Sequence, residues 1–194
     1  MASNELVTAA TSEPITATEA KLYLKVDDTA DDDLIDDQIA AARSLCESLT
    51  GRRFIDTTMR LSLSGWPSDD VIVLPSSPLS SVTTVKYIDT DGVLTTLAEG
   101  TDYQVSKKST PGRVKPFYGT YWPALRLDFD PVQVTYVAGY SATAASVPDQ
   151  IKQAIKWVIG HMYAARTSLV PWLPKDVPHS LHALLAPYKT EVYV

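Results

Sequence analysis

The sequence predicts an α+β protein: a helical bundle built from N- and C-terminal helices, with a mainly antiparallel β subdomain inserted between them. Three observations carry this. Apolar residues recur at three- and four-residue spacings over residues 34–49 and again over 151–162, the period of an amphipathic helix. Between those stretches the period falls to two, in short β-branched and aromatic runs separated by Pro, Gly, Asp and Ser. The chain has 194 residues and is 45% hydrophobic, enough to bury one sizeable core or a core with an inserted subdomain.

Residues 1–14, rich in Ala, Thr, Ser and Glu, have neither period and are expected to form a mobile arm. They lack the basic start and apolar run of a signal peptide or membrane anchor. The N-terminal helices of the bundle are placed at 15–56. Thr16-Ala-Thr-Glu19 is a capping box, in which each partner's side chain accepts from the other's exposed backbone N–H, and this helix is expected to end near Leu24. Leu34, Ile35, Ile39, Ala42, Leu45, Cys46 and Leu49 make one stripe on a second, longer helix that Gly51 stops.

The inserted β subdomain is placed at 57–140. Met59, Leu61 and Leu63 alternate with Arg60, Ser62 and Ser64, as in a half-buried strand. Further strands are expected over 71–74, 82–88, 93–97, 103–105, 125–129 and 132–137. Asp91-Gly92 marks a hairpin, because Gly accepts the positive φ of a tight turn. Helical period returns at Pro148, suited to a first helical turn, with Ile151, Ile155, Val158, Ile159 and Met162 on the buried face. C-terminal helices complete the bundle over 141–188, and 189–194 form a tail.

There is no glycine-rich phosphate loop, no Gly-x-Ser-x-Gly elbow and no His-Glu-x-x-His pair, so no catalytic, cofactor or metal residue is assigned. The single Cys46 excludes an internal disulfide framework and reads as a small core residue, in keeping with synthesis in a reducing cytoplasm. His161 reads as a partly buried core histidine. His179 and His182 share a helix face without a third ligand nearby in sequence. No apolar stretch approaches the ~20 residues of a membrane-spanning helix.

The charged and aromatic clusters are the candidate interaction residues. Asp27, Asp28, Asp31, Asp32, Asp33, Asp36 and Asp37 place seven of 23 acids within eleven residues. The loop glycine and closing glutamate of a calcium site are missing. Aspartates in a first helical turn suit the positive end of the helix, and repeated around a ring they would also form a negative band. Lys107, Lys108, Arg113 and Lys115 gather in a predicted loop and are followed by Phe117, Tyr118, Tyr121 and Trp122. With a net charge of −6, the chain is opposite in sign to a dedicated nucleic-acid binder. The rings either anchor an interface or cover a sheet edge. Tyr188, Val192, Tyr193 and Val194 are apolar residues at the end of the chain and are assigned to binding a partner.

The order of these segments resembles the head-to-tail connector, or adaptor, proteins of long-tailed bacteriophages, in the branch with a β insertion. The resemblance rests on Ile15-Thr-Ala-Thr-Glu-Ala-Lys-Leu-Tyr-Leu-Lys-Val-Asp27, Ala40-Ala-Ala-Arg43, Thr50-Gly-Arg52, Leu74-Pro75 and Pro78-Leu79-Ser-Ser-Val82. It continues through Pro111-Gly-Arg-Val114, Val137-Ala-Gly-Tyr140, Val147-Pro148 and Leu184-Leu-Ala-Pro-Tyr188. The resemblance implies a non-enzymatic virion protein of the neck, made in the bacterial host cytoplasm. It would form a ring, expected to be a dodecamer, between the portal protein and the stopper or other tail-proximal proteins. DNA would pass transiently and without sequence preference, and Asp31, Asp32 and Asp33 are candidate channel-facing acids. A stopper or tail-completion protein of the same assembly and a carbohydrate-binding module are the competing readings, the latter suggested by the aromatics at 117–122.

Overall fold

The computed structural model describes residues 2–164 and 179–190. They divide into two compact units: a β unit of residues 2–10 with Asp56–Tyr140, and a helical unit of Thr11–Ile55 with the described residues from Ser141 onward.

In the helical unit, α1 (Ala17–Leu24), α2 (Asp32–Thr50), α3 (Asp149–Ala164) and α4 (His179–Leu185) pack together. The capping box forms: Glu19 N donates to Thr16 Oγ1 at 3.2 Å, and Thr16 N donates to Glu19 Oε2 at 2.8 Å. That backbone donor holds the Glu19 carboxyl below its ordinary value. α2 ends at Gly51, whose φ of 68° is left-handed and whose N–H donates to Glu47 O at 2.9 Å.

The buried face of α2 is Ile35, Ile39, Ala42 and Cys46, spaced four, three and four apart. Leu34 is exposed, and Leu45 and Leu49 are half-buried, so the core line runs along one side of the predicted stripe. α3 meets it with Ile151, Ala154, Ile155, Val158 and Ile159, and α4 adds Leu181 and Leu185. His161 is exposed and lies off the buried line of α3, which corrects its reading as a core histidine. Burial pushes the Cys46 thiol up to about 12, with the Glu47 carboxylate adding to the shift, so it is a protonated core side chain at neutral pH.

Glu47 is buried at the end of α2. Its carboxylate accepts from Phe54 N at 2.9 Å, Arg53 Nη1 at 3.0 Å and Arg43 Nη1 at 3.4 Å, while Arg43 also reaches Glu13 at 2.7 Å. These bonds fold the segment after the helix back, so that Phe54 and Ile55 are fully buried.

The β unit holds β1 (Ala2–Thr8), β2 (Thr57–Leu63), β3 (Ile72–Leu74), β4 (Leu79–Ile88), β5 (Leu94–Leu97), β6 (Tyr103–Ser106), β7 (Gly112–Pro116) and β8 (Val132–Ala138). They form a five-stranded sheet, β1-β2-β8-β4-β5, and a three-stranded sheet, β3-β7-β6, with every pair antiparallel. Both sheets contribute to one core: Met59, Leu61, Val132, Val134, Tyr136 and Val85 from the larger, and Ile72, Leu74, Tyr103 and Val114 from the smaller. β8 shows the alternation plainly, with residues 132, 134, 136 and 138 buried. β4 buries Leu79, Val82 and Val85 at three-residue spacing, because its register with β8 shifts between Leu79 and Ser81 and again between Val82 and Thr84.

Three sequence expectations differ here. Residues 2–8 of the expected arm form a strand along β2; all seven are exposed, so no inward apolar row marks it in the sequence. β7 occupies part of the expected basic loop, where only Val114 and Gly112 face inward. The alternation at 125–129 does not become a strand: Leu127 and Phe129 are 95% and 94% exposed.

Candidate assembly surfaces

The acids at the start of α2 have distinct roles. Asp31 occupies the N-cap position, and its Oδ2 accepts from Tyr163 Oη at 2.6 Å, tying α2 to α3. Asp32 pairs with Lys21 at 2.6 Å, tying α2 to α1. Asp33, Asp36 and Asp37 are exposed and lie three and four apart on one face. Of the three candidate channel acids, then, two carry tertiary contacts.

Basic residues are brought together by the small sheet. In the β6–β7 register Gln104 faces Lys115 and Ser106 faces Arg113, so both cations stand on the outer side while Val114 points into the core. Arg113, Lys115, Gln104, Ser106, Val105, Val71 and Ser109 line a groove of about 330 Å³. Lys107 and Lys108 sit exposed on the turn that follows β6. Among the described residues, no carboxylate forms an ion pair with any of these four bases. Gly112 sits against Leu79: a Cβ there would come within 2.6–2.7 Å of that side chain, so only glycine allows β7 this close to β4.

The aromatic group separates into two kinds. Trp122 stacks on Trp66 with ring centroids 4.4 Å apart, and their indole N–H groups donate to Asp70 O and Pro123 O. This pair covers the core, while Phe117, Tyr118 and Tyr121 are exposed, the last two by 93% and 86%. Leu127 and Phe129 are exposed large apolar residues that the candidate set lacked, because strand alternation suggested that they were buried.

Tyr188 is half-buried within the helical unit: its Oη donates to Gln150 Oε1 at 2.7 Å, and its carbonyl accepts from Arg52 Nε. Thr190 N donates to Thr50 O at 2.8 Å. The assigned tail residues Val192, Tyr193 and Val194 lie outside the described residues. Among the described residues no cluster of His, Cys, Asp and Glu could hold a metal, and no helix is long and apolar enough to cross a membrane.

The model of the head completion protein family matches residues 13–168. The chain belongs to that family. Its fold is also similar to a chain in the neck of an empty gene transfer agent (GTA) particle computed with C6 symmetry, with a TM-score of 0.80 at 21% identity over 97% of this chain and 95% of that one. A chain from the virion of the native particle gives 0.79 at 22% identity, over 96% and 95%. One from the native neck computed with C12 symmetry gives 0.73 at 21% identity, over 97% and 95%. No curated protein sequence matches the chain. The head completion family and the neck fold agree with the connector resemblance of the sequence. At these identities the likeness shows a shared fold.

Proposed function

We propose that this head completion family member is a structural protein of the virion neck, forming a ring between the portal and the tail-proximal proteins while DNA passes through its channel. The observation that carries this is the family match over residues 13–168, joined to a fold that spans nearly the whole of a neck chain. Necks computed with C6 and with C12 symmetry support a ring, which the connector resemblance implies has twelve copies. A family of head completion proteins is a structural class, which supports a role without catalysis.

A head-to-tail contact that closes on itself makes such a ring. Asp33, Asp36 and Asp37, exposed on one face of α2, are the acids placed to face DNA in this reading, and a negative wall repels phosphates over a Debye length of about 8 Å. Tyr188 acts by fixing the end of α4, and Val192, Tyr193 and Val194 supply the apolar partner contact. The exposed rings at 117–121 form a second contact with the assembly. Particles made without this protein are expected to accumulate as DNA-filled heads lacking tails, with tails free in the lysate. Normally tailed, infectious or transducing particles would overturn the proposal.

A further inference from the structure

The segment between β7 and β8 and the outer face of the small sheet have complementary surfaces. Leu125-Arg-Leu-Asp-Phe-Asp130 alternates apolar and charged residues, yet Leu127 and Phe129 face solvent almost completely. The segment is not loosely attached. Arg126 N donates to Ile88 O at 3.1 Å, and Ile88 N donates to Pro131 O at 2.8 Å, so the large sheet grips it on both sides of the exposed residues. Its one base turns back: a Cβ on Gly92 would lie 2.6 Å from the Arg126 guanidinium, placing that group on the β4–β5 turn. The outward surface is therefore two apolar side chains flanked by the exposed carboxylates Asp128 and Asp130.

The groove on the small sheet offers the opposite. Arg113 and Lys115 line it without a carboxylate partner among the described residues, and Val71 and Val105 add apolar lining. About 330 Å³ suits one or two side chains.

We propose that Leu127-Asp128-Phe129-Asp130 of one copy seats in the Arg113/Lys115 groove of a second copy of this chain. This rests on the ring reading above and names its contact. The projecting segment is anchored on the large sheet and the groove lies on the small one, so every copy presents both and the contact propagates head to tail, as ring closure requires. A duplex nucleic acid is the weaker occupant, because the groove is small, partly apolar and carried by a chain of net charge −6.

Charge exchange tests it in the full-length chain. Asp128→Lys with Asp130→Lys makes one variant, and Arg113→Glu with Lys115→Glu makes a second. Each alone is expected to lose self-association and incorporation into particle necks by about tenfold or more, because like charges then face each other. Mixed in equal amounts, they are expected to recover to within about twofold, since each variant's segment then fits the other's groove. All four positions are exposed, and unchanged melting of each variant establishes that the fold is intact. Phe129→Cys combined with Ser109→Cys is expected to give a ladder of cross-linked copies on oxidation, with neither single variant doing so.

Unaltered incorporation of both reversed variants would overturn this contact while leaving the neck reading in place. Loss in both variants without recovery on mixing would also overturn it, and binding of short duplex DNA that only the Arg113/Lys115 variant lost would identify nucleic acid as the occupant. Absence of the parent chain from any ring, in solution and in particles, would remove both the contact and the neck reading.

Discussion

Glu47 holds the turn after α2 because its buried carboxylate serves two arginines and a backbone N–H at once. Glu47→Ala leaves the buried Phe54 N–H without its acceptor and Arg53 without its partner, while Arg43 keeps Glu13, and is expected to cost about 1–3 kcal/mol, measured by chemical denaturation. Gly112→Ala forces a Cβ into Leu79 and is expected to cost about 1–3 kcal/mol, against no loss at Gly65, where a Cβ meets nothing. Asp56 has a buried Oδ1 without a hydrogen-bond partner, and desolvation raises its pKa. The folded state therefore holds the proton more tightly than the unfolded state, and stability falls as pH rises through the window above the ordinary carboxyl value. Asp56→Asn is expected to raise the melting temperature at pH 7 and to lose that advantage as pH drops below about 4. An advantage that persisted at low pH would assign the effect to packing instead. Residue roles of this sort are the least legible in a sequence: Glu47 reads as one more surface acid on α2 until Arg43, Arg53 and Phe54 are seen around it.

At the scale of elements, the core line of α2 gives a ranking. Ile39→Ala is expected to cost about 2–5 kcal/mol and Leu45→Ala less, because Ile39 is buried and Leu45 half-buried; the reverse order would place the core on the other side of the helix. Thr16→Ala removes half of the capping box and is expected to cost about 1 kcal/mol. These helices were readable because capping, apolar period and a terminal Gly all agree locally. The Asp91-Gly92 hairpin was readable for the same reason: Gly92 has a φ of 85°, and the Asp89 carboxylate accepts from Asp91 N and Val93 N. β1 and β7 were not, since one buries no side chain and the other is a short strand whose outward residues are the bases that suggested a loop. Residues 125–129 have a strand's alternation without a strand's neighbours, and period alone cannot report whether a partner is present.

Among the described residues, four helices pack together in the helical unit and two sheets share one core in the β unit. What the sequence conveyed at this scale was the order of segments, from which both the mixed α+β class and the connector resemblance came. The candidate sites conveyed less, because interaction surfaces are defined by what the fold leaves uncovered: Trp122 stacks on Trp66 against the core, while Leu127 and Phe129 emerged. Replacing Asp33, Asp36 and Asp37 by Asn is expected to leave melting nearly unchanged and to slow DNA release, whereas Asp32→Asn breaks the Lys21 pair and acts on the fold. A symmetry-free reconstruction of the neck of particles carrying this protein tests the ring and its contact together. A ring of copies of this fold is expected between portal and tail, with residues 127–130 of each copy against the Arg113/Lys115 face of the next. A neck filled by other chains, with this protein elsewhere in the particle or absent from it, would contradict it.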